Sequence, residues 1–304
     1  MSNILIVGTV SNVGKHLESE ISVLKKAFSS FEIIHFYLVE SDSTDNTLRV
    51  LREFSKNDKN FQFISLGNLR SKFPERISRI RHCRNVYVKY IRNMGFDTFD
   101  YVVVADLDGM NLKLTPESVS SCFEHLDWDG VFANQKYGYY DILALRHKIW
   151  NPNDCMKELE FHQSMISNKR VTKYNLIRKI RIILEFDRAR RIAIYSKMKL
   201  INRNLPWIRV DSAFGGLGIY KADFFRNFDY GPDQVSNSSE HVYIHNLATE
   251  KGRNFYINPN LINNNFNTYN INRFFIIRQA RMFIWNHRKI VILLKHIRNI
   301  FVLD

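Results

Sequence analysis

The chain has 304 residues, of which 45% are apolar, so it is long enough to bury one large hydrophobic core or two smaller ones. Its three cysteines, Cys83, Cys122 and Cys155, are too few and too scattered for a disulfide framework or a zinc site, which indicates a reducing compartment. No stretch approaches the roughly 20 apolar residues of a membrane span, and the first residues lack the basic leader of a secretory signal. We therefore expect a cytoplasmic globular protein.

The formal net charge of +14 is concentrated in two segments. Residues 155–205 carry 13 Lys and Arg against 4 acids, residues 271–304 carry 7 against 1, and the rest of the chain is close to neutral. Such segments suit a polyanion, either an anionic membrane surface or nucleic acid. In the last segment Ile276, Phe283 and Ile290 lie seven residues apart. This spacing predicts an amphipathic helix that lies in a membrane interface or packs on the protein's own core.

The first third of the chain alternates predicted strands with predicted helices. Apolar runs predict strands at residues 3–9, 33–39, 61–66 and 101–105. Apolar residues at spacings of three and four predict the intervening helices at residues 17–28, 48–54 and 75–93. The alternation predicts an α/β fold, in which helices cover the faces of a mostly parallel sheet.

The pattern continues less regularly beyond residue 105. Pro116 suits the first turn of a short helix. A further helix is expected at residues 242–250, and further strands are expected at residues 130–133, 140–145, 207–210, 215–220 and 255–259. Residues 156–200 have helical periodicity, so the basic segment 155–205 is expected to interrupt the sheet as a helical insertion.

Two acids, Asp106 and Asp108, directly follow the apolar run Tyr101–Ala105. Such a run reads as a strand covered on both faces, and ligands of open α/β sheets bind at the carboxyl ends of such strands. The two carboxylates would repel each other unless a cation joined them. Magnesium or manganese, shared with substrate phosphates, fits oxygen ligands of this kind. The alternative is a solvated loop that carries two acids.

Three motifs follow one another along the chain: the turn Glu40–Thr47, the pair Arg84 and Asn85, and the acids Asp106 and Asp108. Together they resemble a GT-A glycosyltransferase, the nucleotide-sugar-dependent class with a Rossmann-like domain and an Asp-x-Asp metal motif. The turn Glu40–Thr47 is similar to the nucleoside-binding turn of that class, and Arg84 with Asn85 is similar to its Arg-Asn pair. Asp106 and Asp108 stand where the metal motif is expected.

Three later motifs resemble the fungal capsule-associated mannosyltransferases and their bacterial polysaccharide relatives. They are Tyr139–Arg146, Val210–Tyr220 and Ser239–His241. The resemblance spans about residues 1–262. It implies a nucleotide-sugar-binding half over 1–154, the insertion over 155–205, an acceptor-binding half over 206–270 and basic amphipathic helices over 271–304.

The resemblance also suggests which residues bind the donor. Glu40 or Asp42 would accept hydrogen bonds from the ribose or the base. The alternative is that Asp42, Ser43 and Thr44 only cap the next helix. Arg84, or a nearby arginine such as Arg81, would offset charge on the departing diphosphate together with the metal. Asp106 would lie near the ribose or the metal.

Metal binding and base catalysis are assigned in the same way. Asp108 would bind the metal directly, and His241 is a candidate third ligand. Glu240 would abstract the proton of the acceptor hydroxyl, with Asp211 competing for that role or for holding the acceptor hydroxyls. Each of these side chains could instead be solvated or cap a helix.

These assignments predict an enzyme that requires Mn2+ or Mg2+. Its donor would be a UDP- or GDP-sugar, and its acceptor a surface glycan or a lipid-linked molecule. The basic helices would hold the enzyme at the inner, cytoplasmic face of an anionic membrane. Nucleic acid is not expected as a partner, because no nucleic-acid-binding motif is recognised.

Other classes of protein fit less of the sequence. Asp106–Gly109 also resembles the first motif of haloacid-dehalogenase-type phosphatases, but Met110 replaces the expected Thr and no later Asp-Asp pair follows. A nucleotidyltransferase of related fold would release pyrophosphate instead. A non-enzymatic basic module that binds membrane or nucleic acid would explain both basic segments but would leave the acid pair without a role.

Overall fold

The structure, a computed structural model, describes residues 2–95, 98–125, 127–167, 176–233 and 239–265. The amphipathic helices predicted for residues 271–304 lie outside this part of the chain. No helix within it is both long enough and apolar enough to cross a membrane. Cys83, Cys122 and Cys155 are free and buried.

Within these ranges eight strands form one sheet. They are β1 (Asn3–Val10), β2 (Ile33–Glu40), β3 (Phe61–Ser65), β4 (Tyr101–Ala105), β5 (Gly130–Gln135), β6 (Ile208–Val210), β7 (Leu217–Lys221) and β8 (Phe255–Asn264). Each falls at or within a few residues of a predicted strand.

In the sequence of the described chain, helices alternate with these strands. They are α1 (Gly14–Ala27), α2 (Thr47–Asn57), α3 (Arg76–Met94), α4 (Pro116–Ser120), α5 (Cys155–Ser167), α6 (Leu176–Ala193), α7 (Phe224–Asn227) and α8 (Glu240–Glu250). Short 3-10 helices follow at Ser121–Phe123 and Tyr195–Lys197. The basic insertion therefore contains two helices, α5 and α6.

The strand order is β3-β2-β1-β4-β7-β5-β8-β6. Strands β1 to β4 pair in parallel, as do β5 and β8, whereas β7 is antiparallel to both of its neighbours and β6 is antiparallel to β8. This arrangement confirms the predicted α/β class with a mostly parallel, Rossmann-like sheet. The order reverses between β1 and β4, and ligands of such sheets bind beside the carboxyl ends of the strands at that point.

Both faces of the sheet are buried because successive side chains of a strand point to opposite sides. On one face Ile4 and Val103 pack with Leu17 of α1. On the other face Leu5 packs in a second core with Val88 of α3. Helices thus pack on both faces of the central strands, and this packing fixes the position of the loops at the ends of those strands.

The strand predicted at residues 140–145 is wrong. Ile142 N donates to Tyr140 O at 2.9 Å and Leu145 N donates to Asp141 O at 3.2 Å, so the chain turns here. A carboxylate oxygen of Asp141 accepts a hydrogen bond from Ala144 N at 3.3 Å and stabilises the turn. The apolar residues that imitate a strand are buried because this turn packs into the core beside α3.

We expect Leu17→Ala to lower the free energy of unfolding by about 2–5 kcal/mol, because Leu17 is fully buried between α1 and the sheet. Chemical denaturation measures the loss. Leu247→Ala is the matched control, since Leu247 of α8 is 38% exposed and should lose less than about 1 kcal/mol. Equal losses in the two variants would contradict the described packing of α1.

Candidate active site

A cavity of about 600 Å³ opens where the strand order reverses. The loops that follow β1, β2 and β4 form one side of it, and α3 forms another. The turn at residues 140–143, the segment 194–198 and the start of α8 complete the wall. Residues distant in the sequence therefore meet at the predicted edge of the sheet.

The acid pair reaches this cavity as predicted. Asp106 follows the last residue of β4, and its backbone is held on both sides: its N–H donates to Gly216 O at 2.9 Å, and its carbonyl accepts from Asn111 Nδ2 at 2.5 Å. Asp108 lies two residues further on, in a bend, and its side chain is exposed. Both carboxylates line the cavity.

Arg84 joins three elements beneath the acid pair. Its side chain is only 4% exposed, and it donates from Nε to Glu240 at 2.8 Å and from a terminal nitrogen to Asp106 at 3.4 Å. It also donates to the Tyr87 hydroxyl at 3.1 Å and lies over the Phe214 ring. This one guanidinium thus links α3, β4 and α8.

Carboxylates outnumber this buried cation at the site. Burial raises the pKa of Asp106 to about 8, against the lowering effect of Arg84, and Asp108, Asp141 and Glu240 raise it further. Desolvation by the surrounding cavity wall raises the pKa of Asp108, although the residue stays accessible to solvent, and burial raises the pKa of Asp141 to about 6. The raised pKa values mark carboxyl groups whose charged form is poorly compensated where they lie, and a bound cation would compensate it.

The groups present fit a divalent metal held in part by substrate. Among the described residues, no three ligand-type side chains are gathered closely enough to hold a metal alone. Mg2+ and Mn2+, however, are commonly bound through one or two carboxylates together with substrate phosphates and water. Asp106 and Asp108 supply those two carboxylates at the cavity wall.

His241 lines the same cavity and is suited to ligation. Its ring stacks on Phe214 with a centroid distance of 3.9 Å, and neither ring nitrogen has a hydrogen-bond partner within the described chain. Burial, with the nearby Arg84, lowers the pKa of His241 well below its ordinary value. The imidazole is therefore neutral, the form that binds metals.

Asp42 also lies in the cavity, but it does not cap α2. Its backbone has φ of 59°, a conformation in which Asp is one of the few tolerated residues. One carboxylate oxygen accepts from Arg70 N at 2.9 Å, and the other lies 3.7 Å from Arg79 Nε. Asp42 thus orders the loop that follows β3.

The cavity also contains three arginines that the sequence did not single out. Arg70, Arg76 and Arg79 line it beside Asp42. Desolvation raises the pKa of Asp108, and Arg76 lies close enough to offset part of that rise. These side chains place positive charge on the cavity wall, with Arg79 beside Asp42 and Arg76 near Asp108.

Three of the predicted site residues do not line the cavity. Glu40 is 1% exposed and accepts hydrogen bonds from Ser43 N and the Ser65 hydroxyl, so it shapes the turn after β2. Arg81 is buried on α3 and donates to Pro232 O at 3.2 Å. Asp211 is tied through its backbone to Arg146.

Asp141 was missed because its segment was assigned to a strand. Its carboxylate lies in the cavity and accepts from Gly215 N at 3.1 Å. Gly215 itself has φ of +70°, and an added Cβ would meet Ala133 O at 2.6 Å. Only glycine fits this turn, whose second residue, Gly216, supports the backbone of Asp106.

Glu20 was also missed, although a charged residue on the apolar face of α1 was a visible signal. It is fully buried, and one of its oxygens accepts from Asn111 N at 2.8 Å. Burial raises the pKa of Glu20 to about 7. Asn111 in turn donates from its side chain to the carbonyl of Asp106, so Glu20 positions the backbone of the acid pair through Asn111.

Comparisons with known proteins were made by sequence and by structure. No protein-family model matches the chain, and no curated protein matches it. Among solved structures, the mannosyltransferase PcManGT from Pyrobaculum calidifontis, in complex with GDP-Man and Mn2+, is 14% identical with a TM-score of 0.46. The match covers 88% of this chain and 58% of that one.

Two further solved structures are similar at the same level. TarS 1-349 of S. aureus in complex with UDP is 17% identical with a TM-score of 0.41, and the match covers 84% of this chain and 57% of that one. Glucosyl-3-phosphoglycerate synthase from Mycobacterium tuberculosis in complex with UDP is 13% identical with a TM-score of 0.39, over 86% and 69%. This chain thus spans less than two thirds of PcManGT and of TarS 1-349. A likeness of fold does not extend to activity.

We expect Arg84→Leu to lower the free energy of unfolding by about 3–5 kcal/mol, because it leaves Glu240 and Asp106 without their buried cation. Urea denaturation at neutral pH measures this loss. Arg49→Leu is the matched control: Arg49 pairs with Glu53 on α2, and both side chains are more than half exposed. Its loss should stay within about 0.5 kcal/mol. A similar small loss for Arg84→Leu would show that the buried pair is not structural.

We expect His245 to make stability fall as the pH drops below about 6.5. His245 is buried between the Ser212 and Tyr220 hydroxyls, each 2.9 Å from a ring nitrogen, and burial lowers its pKa to about 3. The unfolded chain therefore takes up a proton that the folded chain refuses, and stability is lost from about pH 6.5 down towards pH 3.

The control for this effect is His245→Gln, which cannot titrate in that range. Between pH 7 and pH 5 the free energy of unfolding should fall by about 2 kcal/mol more in the wild type than in the variant. Urea denaturation at the two pH values measures both slopes. Equal slopes would show that the folded protein accommodates a protonated His245.

Proposed function

We propose that the protein is a metal-dependent glycosyltransferase that moves a sugar from a nucleotide-sugar donor to an acceptor hydroxyl. The observation that carries this proposal is the acid pair Asp106 and Asp108 in one cavity with Asp42, at the carboxyl ends of β2 and β4. A nucleoside diphosphate brings its own phosphate oxygens to a divalent metal, which two carboxylates can then hold.

The donor nucleotide would bind along the wall formed by the loop after β2 and by α3. Asp42 would accept hydrogen bonds from the ribose or the base, since Arg70 and Arg79 already hold its side chain in place. Arg76, which lines the cavity close to Asp108, would contact the diphosphate. Arg76 thus takes the role assigned to Arg84 or Arg81, because Arg84 is bound to Asp106 and Glu240 and Arg81 lies outside the cavity.

Asp106 and Asp108 would hold Mn2+ or Mg2+. His241, the candidate third ligand, lines the same cavity but is not gathered with the two acids into a metal-binding group of the described residues. The bound metal would offset the negative charge that develops on the departing diphosphate. Arg84 would position the two carboxylates, because its ion pairs with Asp106 and Glu240 fix their orientation. The residues therefore hold the leaving group at one end of the cavity.

The acceptor would bind beside the leaving group, near α8 and the turn at residues 140–143. Glu240 remains the proposed general base, because it faces the cavity at the start of α8. Asp141 competes for that role from the neighbouring wall. Asp211 does not line the cavity, so we give it no contact with substrate.

The acceptor is proposed to be a surface glycan or a lipid-linked molecule at the inner face of a membrane. The support for this location is the basic charge of residues 155–205 and 271–304, which suits a peripheral protein on anionic lipid.

We expect Asp108→Ala to lower metal-dependent release of nucleotide from the donor by at least about a hundredfold, because it removes an exposed ligand of the metal. The measurement is nucleotide release from a panel of UDP-, GDP- and CMP-sugars with Mn2+ or Mg2+. The variant should lose less than about 1 kcal/mol of stability. Asp127→Ala is the control, since Asp127 is equally exposed and lies outside the cavity.

The products distinguish the candidate reactions. Release of UDP or GDP by the wild type alone supports glycosyl transfer and names the donor. Release of pyrophosphate would show a nucleotidyltransferase. If no donor turns over and a simple phosphate ester is hydrolysed, the acid pair belongs to a phosphatase. Full activity in Asp108→Ala would remove the acid pair from the mechanism.

A further inference from the structure

The helical insertion has a small core of its own. Helices α5 and α6 pack on each other through Leu159, Ile166, Ala189 and Ala193, which are all less than 9% exposed. Partly buried side chains such as Phe186 extend this contact. The apolar side chains on the outer sides of the two helices are therefore not part of the contact that holds the helices together.

Those outer sides carry an unusual amount of exposed apolar surface. Within the described residues, the six most exposed large apolar side chains all lie between positions 149 and 200, and each is more than half exposed. They are Ile149, Phe161, Met165, Ile183, Leu184 and Leu200. Apolar exposure concentrated in one part of a chain marks an interaction surface.

On each helix, exposed apolar side chains lie at spacings that put them on one side of the helix. Phe161 and Met165 lie four residues apart on α5, and Leu184 and Ile192 lie eight residues apart on α6. Residues at such spacings share one face of a helix. We call these four side chains the outer apolar face.

Positive charge accompanies this face. Arg188 and Arg191 are exposed on α6 at the positions between Leu184 and Ile192. Residues 182–205 carry six Lys and Arg against two acids. Apolar side chains fringed by arginine bind an anionic bilayer by burying the apolar groups below the phosphates and pairing the guanidinium groups with them.

The outer apolar face is continuous with the proposed active site. Helix α6 ends at Ala193, and the residues that follow it, Ile194, Tyr195 and Met198, line the cavity that holds the acid pair. A bilayer in contact with α6 would therefore place lipid head groups next to the acceptor end of the cavity.

We propose that the outer apolar face of α5 and α6 docks on an anionic phospholipid bilayer and presents a lipid-linked acceptor to the cavity. The identity of the acceptor rests on the proposed function, whereas docking does not. The insertion is thereby a membrane-binding surface in its own right, independent of residues 271–304.

Vesicle flotation of the full chain tests docking. The vesicles are phosphatidylcholine alone and phosphatidylcholine mixed with phosphatidylglycerol. The wild type should float with the mixed vesicles, and the combined variant Phe161→Ser, Met165→Ser, Leu184→Ser and Ile192→Ser should bind them at least about tenfold more weakly. The matched control replaces Ile33 and Ile64 by Ser, since these are 40% and 38% exposed on β2 and β3. It should bind as the wild type does.

A second variant keeps the test decisive if the serine variant folds poorly. Arg188→Glu with Arg191→Glu leaves every apolar contact in place, and it should weaken binding to the mixed vesicles while circular dichroism and thermal unfolding stay unchanged. Undiminished binding by both variants overturns the proposal. So does a serine variant that binds normally while deletion of residues 271–304 abolishes binding, because the C-terminal segment is then the anchor.

Two further readouts separate the possible failures. Loss of self-association in the serine variant, without loss of vesicle binding, would show that a second copy of the chain covers the face and would overturn the proposal. Donor hydrolysis in solution should persist in the serine and arginine variants, whereas Asp108→Ala should still float with the vesicles. Docking and glycosyl transfer can therefore fail independently.

Discussion

The site depends on the ion pairs of one buried guanidinium. Arg84 pairs with Glu240 and Asp106 at 2.8 and 3.4 Å, and it thereby joins α3 to the end of β4 and the start of α8. A buried ion pair contributes little net stability, but loss of one partner is costly because the remaining charge stays in a medium of low dielectric. The other carboxylates of the cavity have other partners: Asp42 lies 3.7 Å from Arg79, and Asp141 accepts from backbone N–H groups. Arg84 therefore fixes the positions of the two carboxylates, Asp106 and Glu240, that come from different elements of the fold.

Much of the fold follows from the sequence because the parallel half is locally encoded. The apolar runs that become β1, β2 and β4 are buried on both faces, and the helices between them have clear periodicity. The error at residues 140–145 has a physical origin. A buried turn and a buried strand carry the same apolar residues, and what decides between them is the contact of Asp141 with Gly215, 74 positions away.

The site was predictable to the extent that its residues lie at the ends of strands and helices. Asp106, Asp108 and Asp42 follow strands, and Glu240 and His241 begin a helix, so position alone brought them to the cavity. Asp141 and Glu20 were not predictable, since each acts through a backbone group of a distant segment: Gly215 N in one case and Asn111 N in the other. Glu40 also ends a strand, but its side chain points into the turn after β2 and not into the cavity. The direction of a side chain cannot be seen in the sequence.

The antiparallel strand β7 has a consequence for how the chain is made. It lies between β4 and β5 and pairs Leu217 with Ala105. Because β7 follows the insertion and β6 in the chain, the hydrogen-bonding groups on that side of β4 have no β7 to pair with until both have been synthesised. A nascent chain that ends within the insertion carries the open edge of an apolar strand, which invites pairing with other chains. The basic charge of the insertion, which emerges from the ribosome before β7, would keep such chains apart by electrostatic repulsion and in solution until the sheet closes.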